Sequence, residues 1–415
     1  MPNKLFIIAF FSALMLLIDW YVFNGLKVLI SNYQPITQRW FKTGFWILTA
    51  TNILMLVTFH SLPTHQFWGL KVVIATFLFG QYFGKFVWIL FLFIDDIIRF
   101  FRWTASLFQT KTESVAGTKI SRSDFIVKAG LLAGGGIISA LSWGIYSGAY
   151  DYRVKRRSIT LKNLPHSFDG FKIVQISDIH SGSFWNTEAV QRGVQMVLDQ
   201  KADVIFFTGD LVNNEASEMK PYMDVFNKLT APHGVFSIFG NHDYGDYVQW
   251  PSSEAKIQNL EELKTVHKEL GWRLLVDEHE RISIGNDSIG ILGIGNWGNK
   301  GRFPKYGVMK KAVEGTEDLP VKLLLSHDPS HWRGEVLKEY PDIDVMFSGH
   351  THGMQFGVEV AGYKWSPIKY MYKEWADLHK EGHQHLYVNR GFGFLGYPGR
   401  FGILPEITVI ELKKG

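Results

Sequence analysis

The sequence predicts a helical membrane anchor of about four spans followed by an α/β layered domain. Three observations carry this reading. Apolar residues make up 46% of the 415 positions and aromatics 15%, and the excess is concentrated before residue 150. Beyond residue 170, short apolar runs alternate with helical or loop segments, the pattern of strands layered against helices. Histidines, aspartates and an asparagine recur at the ends of those runs, where α/β sheets collect their ligands.

The boundaries follow from these shifts: residues 1–150 are read as the transmembrane region and 151–415 as the second domain. Leu5 to Val22 is nearly uncharged and long enough for a hydrocarbon core of roughly 30 Å. Phe45 to Phe59 is a shorter apolar block, extendable through Phe41 and Leu62. Phe67 to Ile98 is a third, with Asp95 and Asp96 near its end. Ile126 to Ala149 is a fourth and carries Gly134-Gly135-Gly136, which membrane helices tolerate better than soluble ones. Asp19 lies towards the end of the first block, where an interfacial position is expected, and the lack of midspan charge speaks against a transport pathway.

Orientation is nearly balanced. Arg39, Lys42, Arg99, Arg102, Lys111, Lys119 and Arg122 face one side, against Lys4, Lys71 and the cluster Arg153, Lys155, Arg156 and Arg157 on the other. Ser121 to Lys128 resembles a degraded twin-arginine export signal with a single arginine, which tips the reading towards a catalytic domain outside the cytoplasm. The opposing arrangement lays the 153–157 cluster on anionic headgroups of the cytoplasmic face.

Net charge is +4, with no long basic run interleaved with aromatics, so nucleic-acid binding has no support. The chain has no cysteine, which excludes disulfides, thiolate zinc sites and a cysteine nucleophile. Any metal here is held by nitrogen and oxygen.

In the second domain, strands are expected at Phe171–Ile176, Asp203–Phe207, Val235–Phe239, Ile289–Ile294, Val321–Leu325, Asp344–Phe347, Leu386–Asn389 and Glu406–Leu412. Thr187 to Gln200 has helical spacing with Thr187 as its N-cap. At the run ends stand Asp178-Ile179-His180, Gly209-Asp210, Gly240-Asn241-His242-Asp243, Ser326-His327-Asp328 and Ser348-Gly349-His350-Thr351-His352-Gly353. In an extended segment, His350 and His352 would point the same way and reach one point in space.

Two divalent ions about 3.5–4 Å apart need a bridging carboxylate with imidazoles and oxygens around it. Asp210 is the natural bridge. Asp178 and His180 suit one ion, Asn241 offers a neutral amide oxygen, and His327, His350 and His352 complete two shells. His242 follows Asn241 and sits near the ions without binding them, placed to stabilise phosphoryl oxygens or protonate a leaving oxygen.

This ordered set resembles the calcineurin-like metallophosphoesterase superfamily, over roughly Lys172 to Leu412, and most of all its membrane-anchored bacterial members. The resemblance implies a two-sheet sandwich flanked by helices. It assigns Asp178, His180, Asp210 and His352 to one metal, and Asp210, Asn241, His327 and His350 to the other. It also implies in-line attack by a metal-bridging hydroxide, assisted by His242. Asn213 stands where many members have the aspartate that orients this histidine, leaving Asp243 or the Asn213 amide to substitute. Met354 replaces a common glycine and is expected to narrow the access to the site.

His233, His267, His279, His331, His379, His383 and His385 read as surface or loop groups, with His331 a candidate outer neighbour of the metals. Trp297, Trp365, Tyr370, Tyr372, Trp375 and Tyr397 are candidates for an apolar wall beside them. The expected function is a membrane-anchored phosphoesterase using two divalent ions (manganese, iron or zinc) on a phosphomonoester, phosphodiester or pyrophosphate. A lipid-linked substrate is the sharper expectation. The competing class is a membrane sensor or binding protein that keeps the fold without turnover.

Overall fold

The computed structural model describes residues 2–62, 67–107, 123–301 and 303–415. Lys111, Lys119 and Arg122 from the orientation count, and Ser121 and Arg122 of the export-like signal, lie outside the described residues. The chain forms two compact units, Met1–Trp143 and Gly144–Gly415.

The first unit is built on α1 (Pro2–Ile30), α2 (Pro35–Ser61), α3 (Trp68–Leu107) and most of α4 (Asp124–Tyr146). Each is long and apolar enough to cross a membrane. Side chains of Leu5, Phe6, Leu17, Ile47, Leu54 and Val73 stand outward, as a lipid-facing surface requires. Because α1 runs on to Ile30, Asp19 lies well inside the helix rather than at an interface. Its side chain is fully buried. It accepts from Lys85 Nζ at 2.6 Å, Thr49 Oγ1 at 2.6 Å and Tyr82 OH at 3.1 Å. Lys85 also donates to Gln81 Oε1. Midspan charge is therefore present, but the ion pair joins α1 to α3 and neutralises itself, which makes it a lock between helices.

The second unit is a sandwich. The strands are β1 (Arg153–Leu161), β2 (Lys172–Ile176), β3 (Val204–Phe207), β4 (Val235–Ser237), β5 (Arg273–Leu274), β6 (Glu278–Ile284) and β7 (Asp287–Gly293). They continue with β8 (Lys322–Leu325), β9 (Val345–Ser348), β10 (Val358–Val360), β11 (Tyr363–Trp365), β12 (Asp377–Glu381), β13 (Gln384–Val388) and β14 (Glu406–Lys414). One six-stranded sheet runs β1-β14-β2-β3-β4-β5 and the other β12-β13-β9-β8-β7-β6, with β10-β11 a separate hairpin. Alternation sorts the side chains: Ile173, Val204, Phe206, Leu323, Leu325, Val345 and Phe347 fill the space between the sheets. Val174, Ile205 and Phe207 face the other way, onto helical cover that includes α5 (Thr187–Leu198).

Several local expectations shift. Asn186 caps α5, its side chain accepting from Ala189 N, so the helix begins one residue earlier than a Thr187 cap implies. The basic residues at 153–157 belong to β1, paired in parallel with β14. There Arg153 meets Asp151, Lys155 meets Glu359 and Arg157 meets Asp377, so three of these charges are paired locally, while Arg156 hydrogen-bonds the neutral Gln200. His267, His331 and His385 are buried rather than superficial.

The helix lock gives a direct test. Lys85→Met leaves the Asp19 carboxylate buried without its cation, a loss of about 3–5 kcal/mol. The unfolding midpoint in detergent should fall, and the double variant Asp19→Asn/Lys85→Met should recover much of it. Equal midpoints for single variant, double variant and parent would contradict the lock.

Candidate metal centre

Each sequence-predicted site residue follows the C-terminal end of a parallel strand. Asp178 and His180 follow β2, Asp210 follows β3, Asn241 and His242 follow β4, His327 follows β8, and His350 and His352 follow β9. Pairing continues past the strand ends: Asp178 N donates to Gly209 O, and Gly349 N to His327 O. The two sheets are tied at the site itself, because His350 N donates to the Asp178 carboxylate at 3.0 Å. Two glycines are required by contact. A Cβ on Gly240 would lie 2.2 Å from Asp210 Oδ1, and one on Gly349 would lie 2.2 Å from Asp178 Oδ2.

The backbone here is strained. Asp178, His180, Asp210, His350 and His352 all have left-handed φ, between 49° and 71°. Such conformations cost of order 1–3 kcal/mol each and persist where the surroundings enforce them, typically at functional sites. This corrects the expectation from an extended His-x-His. His350 and His352 diverge, one into each of two clusters.

The first cluster is Asp178, His180 and His352; the second is Asp210, His327 and His350. His180 Nε2 and His352 Nε2 approach to 3.0 Å, and His352 Nε2 lies 3.2 Å from Asp178 Oδ1. Asp210 Oδ2 reaches both clusters, 3.5 Å from His180 Nε2 and 3.1 Å from His327 Nε2. Asn241 Oδ1 sits 2.8 Å from His350 Nδ1. The outer ring nitrogens have fixed partners: His327 Nδ1 contacts Thr208 O at 2.7 Å and His180 Nδ1 contacts Asn213 Oδ1 at 3.2 Å. These carbonyl oxygens accept, so both rings carry N–H at Nδ1 and turn Nε2 inward as a potential ligand.

The set fits divalent cations. The buried His327 Nε2 makes no well-directed hydrogen bond, although Asp210 Oδ2 lies 3.1 Å away. The Nε2 atoms of His180 and His352 face each other at 3.0 Å, a separation that a shared proton or a cation would bridge. Burial lowers the pKa of His180, His350 and His352, which favours the neutral form that coordinates. Burial alone would raise the Asp178 and Asp210 carboxyls. Interaction with the His352 ring for the first, and positive charge on His327 for the second, holds them well below the usual range instead. His327 behaves differently. Burial disfavours its charge, but the Asp210 carboxylate overrides this and lifts it to about 10.

His242 is oriented by backbone. Its Nδ1 lies 2.8 Å from Asn213 O, which makes Nδ1 the donor and leaves Nε2 as the working end. Neither the Asn213 amide nor Asp243 takes that part. The Asn213 side chain serves His180, while Asp243 accepts from the N–H groups of Asp210, Leu211 and Gly240 and so pins both loops. His331 contacts Ser326 Oγ and Glu335, one residue away from the ligand loop rather than on it.

Four contacts were not read from sequence. Tyr247 lies tilted against His242, ring centres 4.4 Å apart, and accepts from Asn241 Nδ2. Phe303 meets the His350 ring edge-on at 4.8 Å. Asp328 Oδ2 lies 3.3 Å from Tyr372 OH, which in turn lies 3.0 Å from His350 Nε2. The buried Arg400 places Nη2 3.1 Å from His352 Nδ1 and donates to Gly393 O. Of the proposed aromatic wall, Tyr372 reaches a candidate ligand, whereas Trp375 is core and Tyr370 is 75% exposed. Met354 is 53% exposed and holds φ 56°, a conformation glycine adopts without strain.

The family described as calcineurin-like phosphoesterase matches residues 171–354, and that described as probable calcineurin-like phosphoesterase, transmembrane domain, matches residues 3–149. An uncharacterized metallophosphoesterase of Bacillus subtilis, YkuE, is 32% identical over 71% of this chain and 98% of its own length. A zebrafish (Danio rerio) transmembrane protein with metallophosphoesterase domain is 29% identical over 66% of this chain and 60% of its own. The Escherichia coli phosphodiesterase YaeI is 30% identical over 58% of this chain and 82% of its own.

The raised His327 predicts a pH dependence. Its folded pKa of about 10 exceeds the ordinary 6.5, so the stability it adds to the metal-free fold is complete below about 6.5. That stability is lost as pH rises through 10. A cation taking Nε2 must displace this proton. Manganese binding should therefore release protons and tighten as pH rises between about 7 and 9. Calorimetry in buffers of different ionisation enthalpy reads this, and affinity flat across that range would contradict it.

Proposed function

This chain belongs to the calcineurin-like metallophosphoesterases, and we propose that it is a membrane-anchored phosphoesterase with two divalent cations at its centre. The observation that carries the proposal is Asp210, whose Oδ2 lies within 3.5 Å of both His180 and His327. Asp178, His180, Asp210 and His352 would hold one ion; Asp210, Asn241, His327 and His350 would hold the other. Manganese, iron or zinc suits these oxygen and imidazole donors. When bound, such ions neutralise phosphoryl charge and make water a competent nucleophile at neutral pH.

The chain's own residues do the rest. His242, half-buried beside fully buried ligands, presents Nε2 towards substrate because Nδ1 is occupied by Asn213 O. There it steadies the phosphoryl oxygens and hands a proton to the leaving oxygen. Asn241 adds an oxygen without charge, which suits an anionic substrate. The reaction is hydrolysis of a phosphomonoester, phosphodiester or pyrophosphate. Phosphodiesters rank first, on the name of the Escherichia coli relative. A lipid-linked substrate fits a chain with four candidate spans. The export-like segment before α4 favours a catalytic domain outside the cytoplasm.

The test uses the whole chain in nanodiscs with each metal in turn, on soluble and lipid-linked monoesters, diesters and pyrophosphates. Metal-dependent hydrolysis is expected, lost with Asp210→Ala. His242→Ala should keep its metal content and lose about 10²–10⁴ in kcat. Tight metal binding with no turnover on any substrate would overturn the enzyme reading in favour of a sensor.

A further inference from the structure

The β10–β11 hairpin is built inside out. Its register pairs Val358 with Trp365, Glu359 with Lys364 and Val360 with Tyr363. Residues directly opposite in an antiparallel pair share a face, and faces alternate along each strand. Val358, Val360, Tyr363 and Trp365 therefore form one face, Glu359 and Lys364 the other. In a half-exposed antiparallel sheet the apolar face packs inward and the polar face meets water. Here the charged face is turned inward. Glu359 accepts from Lys155 at 2.7 Å and Arg390 at 3.3 Å, and Lys364 donates to Ala376 O at 2.8 Å. On the apolar face Val358 is 44% exposed, Val360 66% and Tyr363 64%. Tyr370, Met371 and Met354, near the hairpin in sequence, are also more than half exposed.

We infer that this hairpin and the following Tyr370-Met371 turn dock onto the surface of a lipid bilayer. Three observations choose the bilayer as occupant. The chain carries four candidate spans, which would tether this domain to a bilayer at high effective concentration. Tyrosine and lysine beside aliphatic side chains are the composition of the membrane–water interface, and Lys369 and Lys373 stand exposed beside Tyr370. The charge is one-sided as well. The one acidic residue in 354–373, Glu359, is ion-paired inward, which leaves cations to meet anionic headgroups. A second copy of the chain would set these lysines against each other.

Docking would place the metal centre. Ser366 Oγ donates to Gly353 O at 2.7 Å, Thr351 Oγ1 to Trp375 O at 2.7 Å, and Gly357 N to Phe401 O at 2.9 Å. The hairpin is thus fixed to the loop that carries His350 and His352. This consequence rests on the proposed phosphoesterase reading and sharpens it: the substrate class is a phosphoester or pyrophosphate whose alcohol portion stays in the bilayer.

Because the chain has no cysteine, single nitroxide labels can be placed without background. Tyr363→Cys and Tyr370→Cys are compared with Asn286→Cys, at the exposed β6–β7 turn, in the full chain at one copy per nanodisc of phosphatidylcholine with phosphatidylglycerol. The expected result at 363 and 370 is a severalfold rise in the ratio of oxygen to nickel-complex collisions over that at 286. Ratios equal to that at 286 would overturn the proposal. Protection from both reagents with spin–spin coupling at two copies per disc would overturn it in favour of self-association. The same readings are expected in an Asp210→Ala chain, so loss of hydrolysis and loss of docking are separately visible.

Discussion

The Asp210 carboxylate is the interaction on which the rest of the catalytic unit depends. One buried oxygen lies between histidines delivered by different sheets, His180 by the first and His327 by the second. The other oxygen accepts from His242 N, which fixes the start of the turn that carries His242. The remaining polar partners serve this arrangement. Asp243 pins the loops before and after it, and Asn213 divides its two oxygens between His180 and His242. A buried carboxylate surrounded by imidazoles is costly unless a positive charge is shared among them. A proton on His327 does this in the metal-free fold, and divalent ions would do it better.

Such convergence needs an unusual backbone. Left-handed φ at five ligand-bearing positions lets adjacent residues aim at different points, which an extended strand end could not do. The cost is met by the sandwich beneath. The interleaved Ile, Val, Leu and Phe side chains between the sheets leave the loop ends little freedom. Strain in the loops and rigidity in the core are two halves of one design.

The expected strands that the structure keeps are central or nearly so, buried on both faces and therefore written as apolar runs. Those not anticipated include all four edge strands, β1, β5, β6 and β12. An edge strand pairs on one side only and is kept polar against further pairing, so RVKRRSITL and DLHKE read as charge clusters. The β10–β11 hairpin escaped for the opposite reason, since its charges point inward and its apolar face outward. Lys85 escaped because a single cation inside an apolar block does not reveal that Asp19 of another helix will neutralise it.

By itself the sequence determined four candidate spans followed by an α/β domain, the order of the candidate metal ligands and the family. Those depend on residue type and spacing along the chain, which are local quantities. Tertiary structure alone decided that His350 and His352 part company, and that a backbone carbonyl rather than an acid orients His242. It also brought Phe303 and Arg400 to the site from distant loops, and turned the nearby Tyr247 and Asp328 onto it. Backbone dihedrals and through-space partners are set by how the two sheets pack, and spacing along the chain does not encode them.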